Sequence, residues 1–412
     1  MNDRSLQSIA QQYGTPLYIY DGDKIVSQYK KLQNSLPQEF EIFYSMKANP
    51  LLGICQLFKD LNSRIEVASC GELCVALAAG FQPENIIFTS PGKSYEELEY
   101  AIEEQIYSIN IESIEEAELI NRIAAEKNIK VDISLRINPD FDATASSIKM
   151  SGVPTQFGID QALLEKAFET FAALTYINVI GIHIYTGTQA LNTQKILFGI
   201  EQIILLALEL SRAYGFKLKF LDLGGGFGIP YFKGETDLEV ESLREGLSQI
   251  WDKFKAQLSG TRVAVESGRF LMAESGVYLI TAQYKKDCKG SRYIVCDGGS
   301  NQHASSAFLG RHIRSNFPMH VLNKNTDEEE VNLVGPLCTP TDIIGQKVML
   351  PQIVPGDIVA IDKSGAYGLT QSPGAFLSHP HPAEVIQYNG ETYVLRERGK
   401  KEDFLKGQVR LL

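Results

Sequence analysis

At 412 residues the chain is too long for one small core and suits a large domain joined to a smaller one. A net charge of −11, with neither basic runs nor basic-aromatic interleaving, excludes a nucleic-acid or anionic-membrane surface. No apolar stretch nears a bilayer span, and 44% hydrophobic with 22% charged residues is ordinary for a soluble enzyme. Met1 to Gly14 has no apolar core of a secretion signal, and Cys55, Cys70, Cys74, Cys288, Cys296 and Cys338 form no Cys-x-x-Cys pair. Reduced thiols in a cytoplasmic protein are expected, with Cys70 and Cys74 as small apolar residues on one helix face.

In chain order, Pro16–Tyr20 reads as a strand. Short β-branched runs follow at Ile42–Lys47, Arg64–Ser69, Asn85–Thr89, Tyr107–Ile111, Lys130–Ile137, Val179–Tyr185, Leu218–Leu223 and Arg262–Glu266. Helical patterns lie between them, among them Gly71–Gly80, Ser94–Glu104, Ser113–Asn128, Gln161–Leu174, Thr193–Gly215 and Glu241–Leu258. Two of these open on capping boxes, Ser94 with Glu97 and Ser113 with Glu116. Strand-helix alternation eight times over predicts an α/β fold, the (β/α)8 TIM barrel. Beyond about residue 277 strands recur without helices, at Val277–Tyr284, Arg292–Asp297, Val331–Val334, Asp357–Ile361 and Glu384–Tyr388. Asn389-Gly390 marks a two-residue hairpin. The expected organisation is a barrel over 25–275 and an all-β sandwich or barrel domain built from 1–24 plus 276–412.

Barrel active sites lie at the C-terminal ends of strands, and the chemistry-bearing residues fall there. Lys47 ends the first strand; an amine desolvated among apolar neighbours suits Schiff-base chemistry. His183, Tyr185 and Thr188 follow the sixth, Gly224, Gly225, Gly226 and Gly228 the seventh, and Glu266, Ser267, Gly268 and Arg269 the eighth. Bare glycine amides beside an arginine suit a phosphate cradle. Each feature also has a plain reading: a tight turn for the glycines, a satisfied core histidine for His183, a buried ion pair for Glu266. The glycine run fails as a dinucleotide fingerprint, because Ile229-Pro230-Tyr231-Phe232 opens no helix. Gly92-Lys93-Ser94 fails as a P-loop end, because the earlier glycine is Ile87. The histidines show no metal spacing, and no metal is expected. Together, a strand-one lysine, phosphate loops at strands seven and eight and a buried carboxylate point to pyridoxal 5'-phosphate (PLP).

The chain resembles the fold-type III PLP-dependent decarboxylases, the diaminopimelate and ornithine decarboxylase family, over nearly its whole length. The matching segments are Tyr44–Asn49, Glu66–Leu73, the glycine run, Glu266–Arg269, Gly335-Pro336-Leu337-Cys338, Gly365-Ala366-Tyr367-Gly368 and Pro382-Ala383-Glu384-Val385. The resemblance implies that Lys47 carries PLP and that Glu266 keeps its ring nitrogen protonated. It implies that Gly225, Gly226, Gly268, Arg269 and Tyr367 hold the phosphate. Cys338, from the second subunit of a homodimer with shared sites, would protonate the substrate carbon. Arg269, Tyr367, Thr339 and Ser305 would face the substrate.

The departures concern the substrate. Diaminopimelate decarboxylases carry a histidine where this chain has Tyr185, a glutamate at Thr339, an Arg-Pro clamp near Ser305-Ser306 and Tyr-Asn at Phe376-Leu377. Losing the clamp arginine and that carboxylate removes the charged grip on a distal amino-acid head. Segments Ser147–Gly158, Gly181–Gln189, Gly335–Pro340 and Phe376–Pro380 are similar to a smaller branch, the glutamyl-carrier-protein decarboxylases of the butirosin pathway type. That resemblance implies glutamate tethered as a thioester to an acyl carrier protein, in secondary metabolism leading to an antibiotic. Arg311 and Arg314 are then the expected basic contacts of an acidic carrier. The alternatives are a decarboxylase of free diaminopimelate, lysine or ornithine, an amino-acid racemase, and a PLP-binding protein without turnover. Glu266 argues against the racemase, whose relatives place an arginine near the ring nitrogen; Lys47 with Cys338 argues against the inactive binder.

Overall fold

A computed structural model describes residues 1–141, 148–149, 152–308 and 315–411. The chain opens on α1 (Asp3–Tyr13), capped by the Asn2 side chain, and β1 (Leu17–Asp21). Eight strands follow: β2 (Phe40–Ser45), β3 (Arg64–Val67), β4 (Ile86–Thr89), β5 (Ser108–Ile111), β6 (Val131–Asn138), β7 (Ile177–His183), β8 (Phe220–Asp222) and β9 (Arg262–Ser267). Each pairs in parallel with the next, and β9 pairs with β2, so the sheet closes on itself. Helices Leu52–Asp60, Cys70–Ala78, Tyr95–Glu103, Ile114–Lys127, Leu164–Phe171, Thr193–Tyr214 and Val240–Phe254 return the chain between them. This is the (β/α)8 barrel that the alternation predicts.

The barrel interior is filled by side chains: Phe43, Ile87, Ile180, Phe220 and Ala264 form one buried cluster. Gly181 belongs to this packing, since a Cβ there would lie 2.4 Å from the Phe220 carbonyl oxygen. Arg262, at the N-terminal end of β9, pairs with Glu41 at 2.6 Å and lies over the Phe43 and Tyr107 rings. Cation, carboxylate and ring faces thus meet in one contact at the barrel's N-terminal end.

The expected capping box at Ser94 is complete. At Ser113 only half forms: the hydroxyl accepts from Glu116 N, but the Glu116 carboxylate turns to Lys93 Nζ at 2.6 Å and to Glu112 N at 2.8 Å. Lys93 is buried, and a buried ammonium binds a carboxylate more strongly than a cap amide does. Cys70 and Cys74 are exposed, contrary to the apolar reading, because the buried face of their helix runs through Leu73 and Ala76.

A second sheet contains β1 with β10 (Gly276–Cys288), β11 (Ser291–Cys296), β12 (Met319–Val321), β13 (Glu328–Val334), β14 (Ile343–Pro351), β15 (Ile358–Ile361), β16 (Ala383–Tyr388) and β17 (Glu391–Arg396). β1 runs antiparallel to β10 and parallel to β16, and β16–β17 is the hairpin closed by Asn389-Gly390. Its core packs Leu6, Ile9 and Ala10 of α1 against Leu17, Ile19, Leu279 and Val385. By internal contacts the chain divides into Met1–Ser27, Pro230–Glu235 and Leu271–Leu412 as one unit and Gln28–Ile229 with Thr236–Phe270 as the other. No helix among the described residues is long and apolar enough to cross a membrane.

Candidate active site

β2 ends at Ser45, and Lys47 sits in the single 3-10 turn Met46–Ala48 that follows. The turn is braced by the Tyr44 hydroxyl, which donates to the Asn49 carbonyl at 2.7 Å, and by Tyr44 stacked on Phe58. Gly268, after β9, packs on the same turn; a Cβ there would lie 2.8 Å from the Ala48 Cβ and 2.9 Å from the Ser45 carbonyl. The Lys47 amine is not in the apolar setting expected for it. Its side chain is 40% exposed, and Nζ donates to both oxygens of the buried Glu66, at 2.9 and 3.1 Å. Tyr185 faces it, with Nζ 5.8 Å from the ring centroid.

Around this lysine the strand ends gather buried polar groups. His183, Asp222 and Glu266, from β7, β8 and β9, place one ligand-type atom each within 4.8 Å of one another. His183 Nε2 lies 3.5 Å from Glu266 Oε1, and the Asn110 amide bridges His183 Nδ1 at 3.3 Å and Thr89 Oγ1 at 2.9 Å. Burial, and the positive charges of Arg136, Lys47 and Lys93, push the His183 pKa down, so the imidazole is neutral. Burial raises Asp222 to about 7, and burial together with the Asp222 charge raises Glu266 well above the usual carboxylate range. Two carboxyls this close and this dry do not both ionise readily.

This pair makes the cofactor-free protein pH-sensitive. Asp222 folded titrates above its unfolded value near 3.8, so the folded form keeps a proton that the unfolded chain has lost. Its contribution is full below about pH 4 and fades as pH rises toward about 7. Asp222→Asn keeps the oxygen that accepts from Gly224 N at 2.9 Å and removes the titration. Thermal unfolding without cofactor should show wild type losing more stability than the variant across that window; equal losses would contradict the raised titration of Asp222.

The glycine run bends β8 back over the strand ends. Gly224 and Gly226 have φ of +64° and +90°, and Cβ atoms at Gly224, Gly225 and Gly226 would lie 2.4, 2.0 and 2.0 Å from the carbonyl oxygens of Ile184, Glu266 and Gly187. These glycines are therefore needed for the approach of backbone to backbone. The Gly224 amide is spent on Asp222 and the Gly228 amide on the Ala190 carbonyl at 2.9 Å. Thr188 lies in a two-residue ladder, paired with Ile148. Ser267 is buried and Arg269 half-buried, directly after Glu266.

Cys338, Thr339, Ser305 and Tyr367 belong to the other unit, where Asp342 organises them. Its buried carboxylate accepts from Ser300 N at 2.7 Å and from Leu337 N at 2.8 Å, tying the Cys338 loop to the segment leading to Ser305. Ser305 Oγ donates to the Tyr367 carbonyl at 3.0 Å, and Tyr367 holds a φ of +55°. Cys338 is exposed, and Thr339 Oγ1 lies 3.0 Å from Thr341 Oγ1. Arg311 and Arg314 lie outside the described residues.

The sequence alone suggested no role for Glu66, Asn110, Asp222 or Asp342. Glu66, Asn110 and Asp222 lie in strands of the predicted barrel, which was the available signal; Asp342 had none, since its partner Ser300 is distant in the chain.

Buried Asp222 Oδ2, Glu266 Oε1, Ser267 Oγ and Asn110 Oδ1 have no hydrogen-bond partner among the described residues. Polar atoms left so at the ends of barrel strands belong to a ligand site. A protonated ring nitrogen suits the carboxyl pair, an anionic oxygen the Ser267 hydroxyl, and an aldehyde the Lys47 amine. One histidine and two carboxylates could also hold a metal ion, but the cations that depress His183 oppose a dication there. Barrel and site together define a pyridoxal phosphate enzyme.

The comparisons agree. Residues 22–273 match the family profile described as pyridoxal-dependent decarboxylase, pyridoxal binding domain. The chain is 38% identical over 415 residues, 99% of its length and 97% of the relative's, to the L-glutamyl-(BtrI acyl-carrier protein) decarboxylase of Niallia circulans. With the diaminopimelate decarboxylase of Aquifex aeolicus the identity is 30%, covering 96% of this chain and 91% of that one. The diaminopimelate decarboxylase of M. jannaschii, solved with L-lysine, superposes with a TM-score of 0.90 at 26% identity, covering 98% of this chain and 94% of that one. That of Helicobacter pylori, also with L-lysine, gives 0.87 at 29% identity, covering 97% and 98%. The chain belongs to the pyridoxal-dependent decarboxylase family, and its cofactor is PLP.

Proposed function

We propose that this enzyme removes the α-carboxylate of glutamate held through its side-chain carboxyl as a thioester on an acyl carrier protein. The observation that carries this is the 38% identity, over 99% of the chain, to a decarboxylase of that substrate. The neutral Ser305 and Thr339 support it. A free diamino acid needs charged partners for its distal head, whereas a thioester has no charge there to hold.

PLP, when bound, supplies an electron sink for the electron pair left behind as carbon dioxide departs. Lys47 would attach it, and Glu66, whose two oxygens accept from Nζ, would hold the Lys47 ammonium. Glu266, close to Asp222, would keep a proton on the ring nitrogen. Neutral His183 and Tyr185 line the ring. Gly225, Gly226, Ser267, Gly268 and Arg269 would hold the phosphate, with Thr188, Gly224 and Gly228 shaping the loop. Cys338, an exposed thiol, would be the proton donor to the substrate carbon.

In this reading Cys338 comes from the second copy of a homodimer. Lys47→Ala and Cys338→Ala subunits, each inactive, should then regain part of the activity when mixed, since one site of each mixed dimer is intact. No recovery after verified subunit exchange would place both residues in one chain. Rates on carrier-bound glutamate and on free amino acids test the substrate itself.

A further inference from the structure

The unit carrying Cys338 has a cleft of about 670 Å³ that the proposed chemistry does not use, within the range of small-molecule sites. Its floor is the segment Leu369–Ser372, and its far wall is the stretch after β17. Ser372 joins the floor to the proposed substrate side: its hydroxyl accepts from Ala304 N at 2.9 Å and donates to the Gly368 carbonyl at 2.8 Å, next to Ser305 and Tyr367.

The charge here runs against that of the chain. After Val394 stand Arg396, Arg398, Lys400, Lys401, Lys406 and Arg410, against Glu397, Glu402 and Asp403, in a protein of net charge −11. His381, Arg396, Lys400 and Lys406 all line the cleft, with Asp403 as its carboxylate. Asp403 accepts from Lys400 N at 2.7 Å, and Arg396 pairs with the buried Glu384. Lys400 and Lys406 have no ion-pair partner among the described residues. A concave site with cations in excess selects a phosphoryl group.

The rim adds an apolar feature. Phe376 and Leu377 are each 46% exposed, beside Ala375 and Ser378 of the lining. Leu377 and Ser378 hold φ of +57° and +55°, consecutive left-handed conformations that side chains of this kind rarely adopt. Two large apolar groups kept in solvent on a strained turn suit an apolar ligand segment next to the phosphoryl group.

We propose that this cleft binds the phosphodiester end of a phosphopantetheine-type arm, with Lys400, Lys406, Arg396 and His381 around the phosphate and Phe376 and Leu377 against the geminal methyl groups beside it. The proposal rests on the carrier-bound substrate and names the part of that substrate which the enzyme recognises. The surplus charge of the last residues then has a purpose, and the clamp lost at Ser305 has a replacement at the other end of the substrate.

Calorimetric titration of the PLP-loaded enzyme with 4'-phosphopantetheine and with pantetheine tests it. Wild type should bind the phosphorylated probe about tenfold more tightly or better, as charge-assisted bonds imply. Lys400→Ala with Lys406→Ala should erase that preference and leave pantetheine binding as it was, while Lys400→Arg with Lys406→Arg should retain it. An unchanged cofactor absorbance band verifies that the variants are folded and loaded. Equal affinity of wild type for the two probes, or a preference that survives the alanine pair, overturns the proposal. If carrier-bound glutamate is turned over without any phosphate preference, the cleft is refuted and the substrate stands. A phosphate preference in an enzyme that turns over no carrier-bound glutamate supports the phosphate site and refutes the substrate.

Discussion

Lys47→Ala should lower decarboxylation by several orders of magnitude and leave PLP bound without a covalent link. The turn Met46–Ala48 has no second amine to offer, and Glu66 would face the site as a buried carboxylate without its ammonium. Losing one partner of such a pair is costly, so the variant should also lose thermal stability, by roughly 1–3 kcal/mol for a partner open to solvent. Borohydride reduction followed by peptide mass mapping should find the label on Lys47 in wild type and nowhere in the variant. Recovery of the reduced cofactor on another lysine would remove Lys47 from its assigned place.

Glu266→Gln should be nearly as damaging, with a fall in kcat of about two to three orders of magnitude, the range for losing one buried electrostatic partner of a reacting group. Glutamine keeps the shape and the contact with His183 but cannot carry the charge that holds a proton on the ring nitrogen. Asp222 stays in place, with Oδ1 still accepting from Gly224 N. Cofactor affinity should drop together with kcat, and equilibrium dialysis measures that separately from turnover. A variant with wild-type kcat and wild-type affinity would leave Glu266 as a structural carboxylate only.

The barrel was legible because each strand is a short β-branched run bounded by a helical pattern, and Lys47 and Glu266 end such runs, with His183 near the end of another. The Asn389-Gly390 hairpin was legible for a local reason, since two residues there need positive φ. β14 was not, because Gly345-Gln346-Lys347 interrupts its apolar pattern. Helix α1 hid behind the question of a secretion signal, although Leu6, Ile9 and Ala10 already have helical spacing. The site's electrostatics were the least legible part. An apolar setting was expected for Lys47, and a buried glutamate 19 positions later supplies the opposite. Which carboxylate reaches which cation is decided where strands meet across the barrel, and Glu116 shows the same: its place in a capping box was readable, its capture by Lys93 was not.

The central claim is that the amino acid reaches this site on a carrier, and parallel rates of carbon dioxide release test it most directly. Purified PLP-loaded enzyme is given glutamyl-carrier protein, free glutamate, diaminopimelate, lysine and ornithine at equal concentrations. The account predicts a kcat/KM on the carrier-bound substrate at least about a hundredfold above any free amino acid, with rising salt increasing KM and leaving kcat nearly unchanged. Efficient turnover of free diaminopimelate, insensitive to salt and accompanied by no activity on the carrier-bound form, would contradict it.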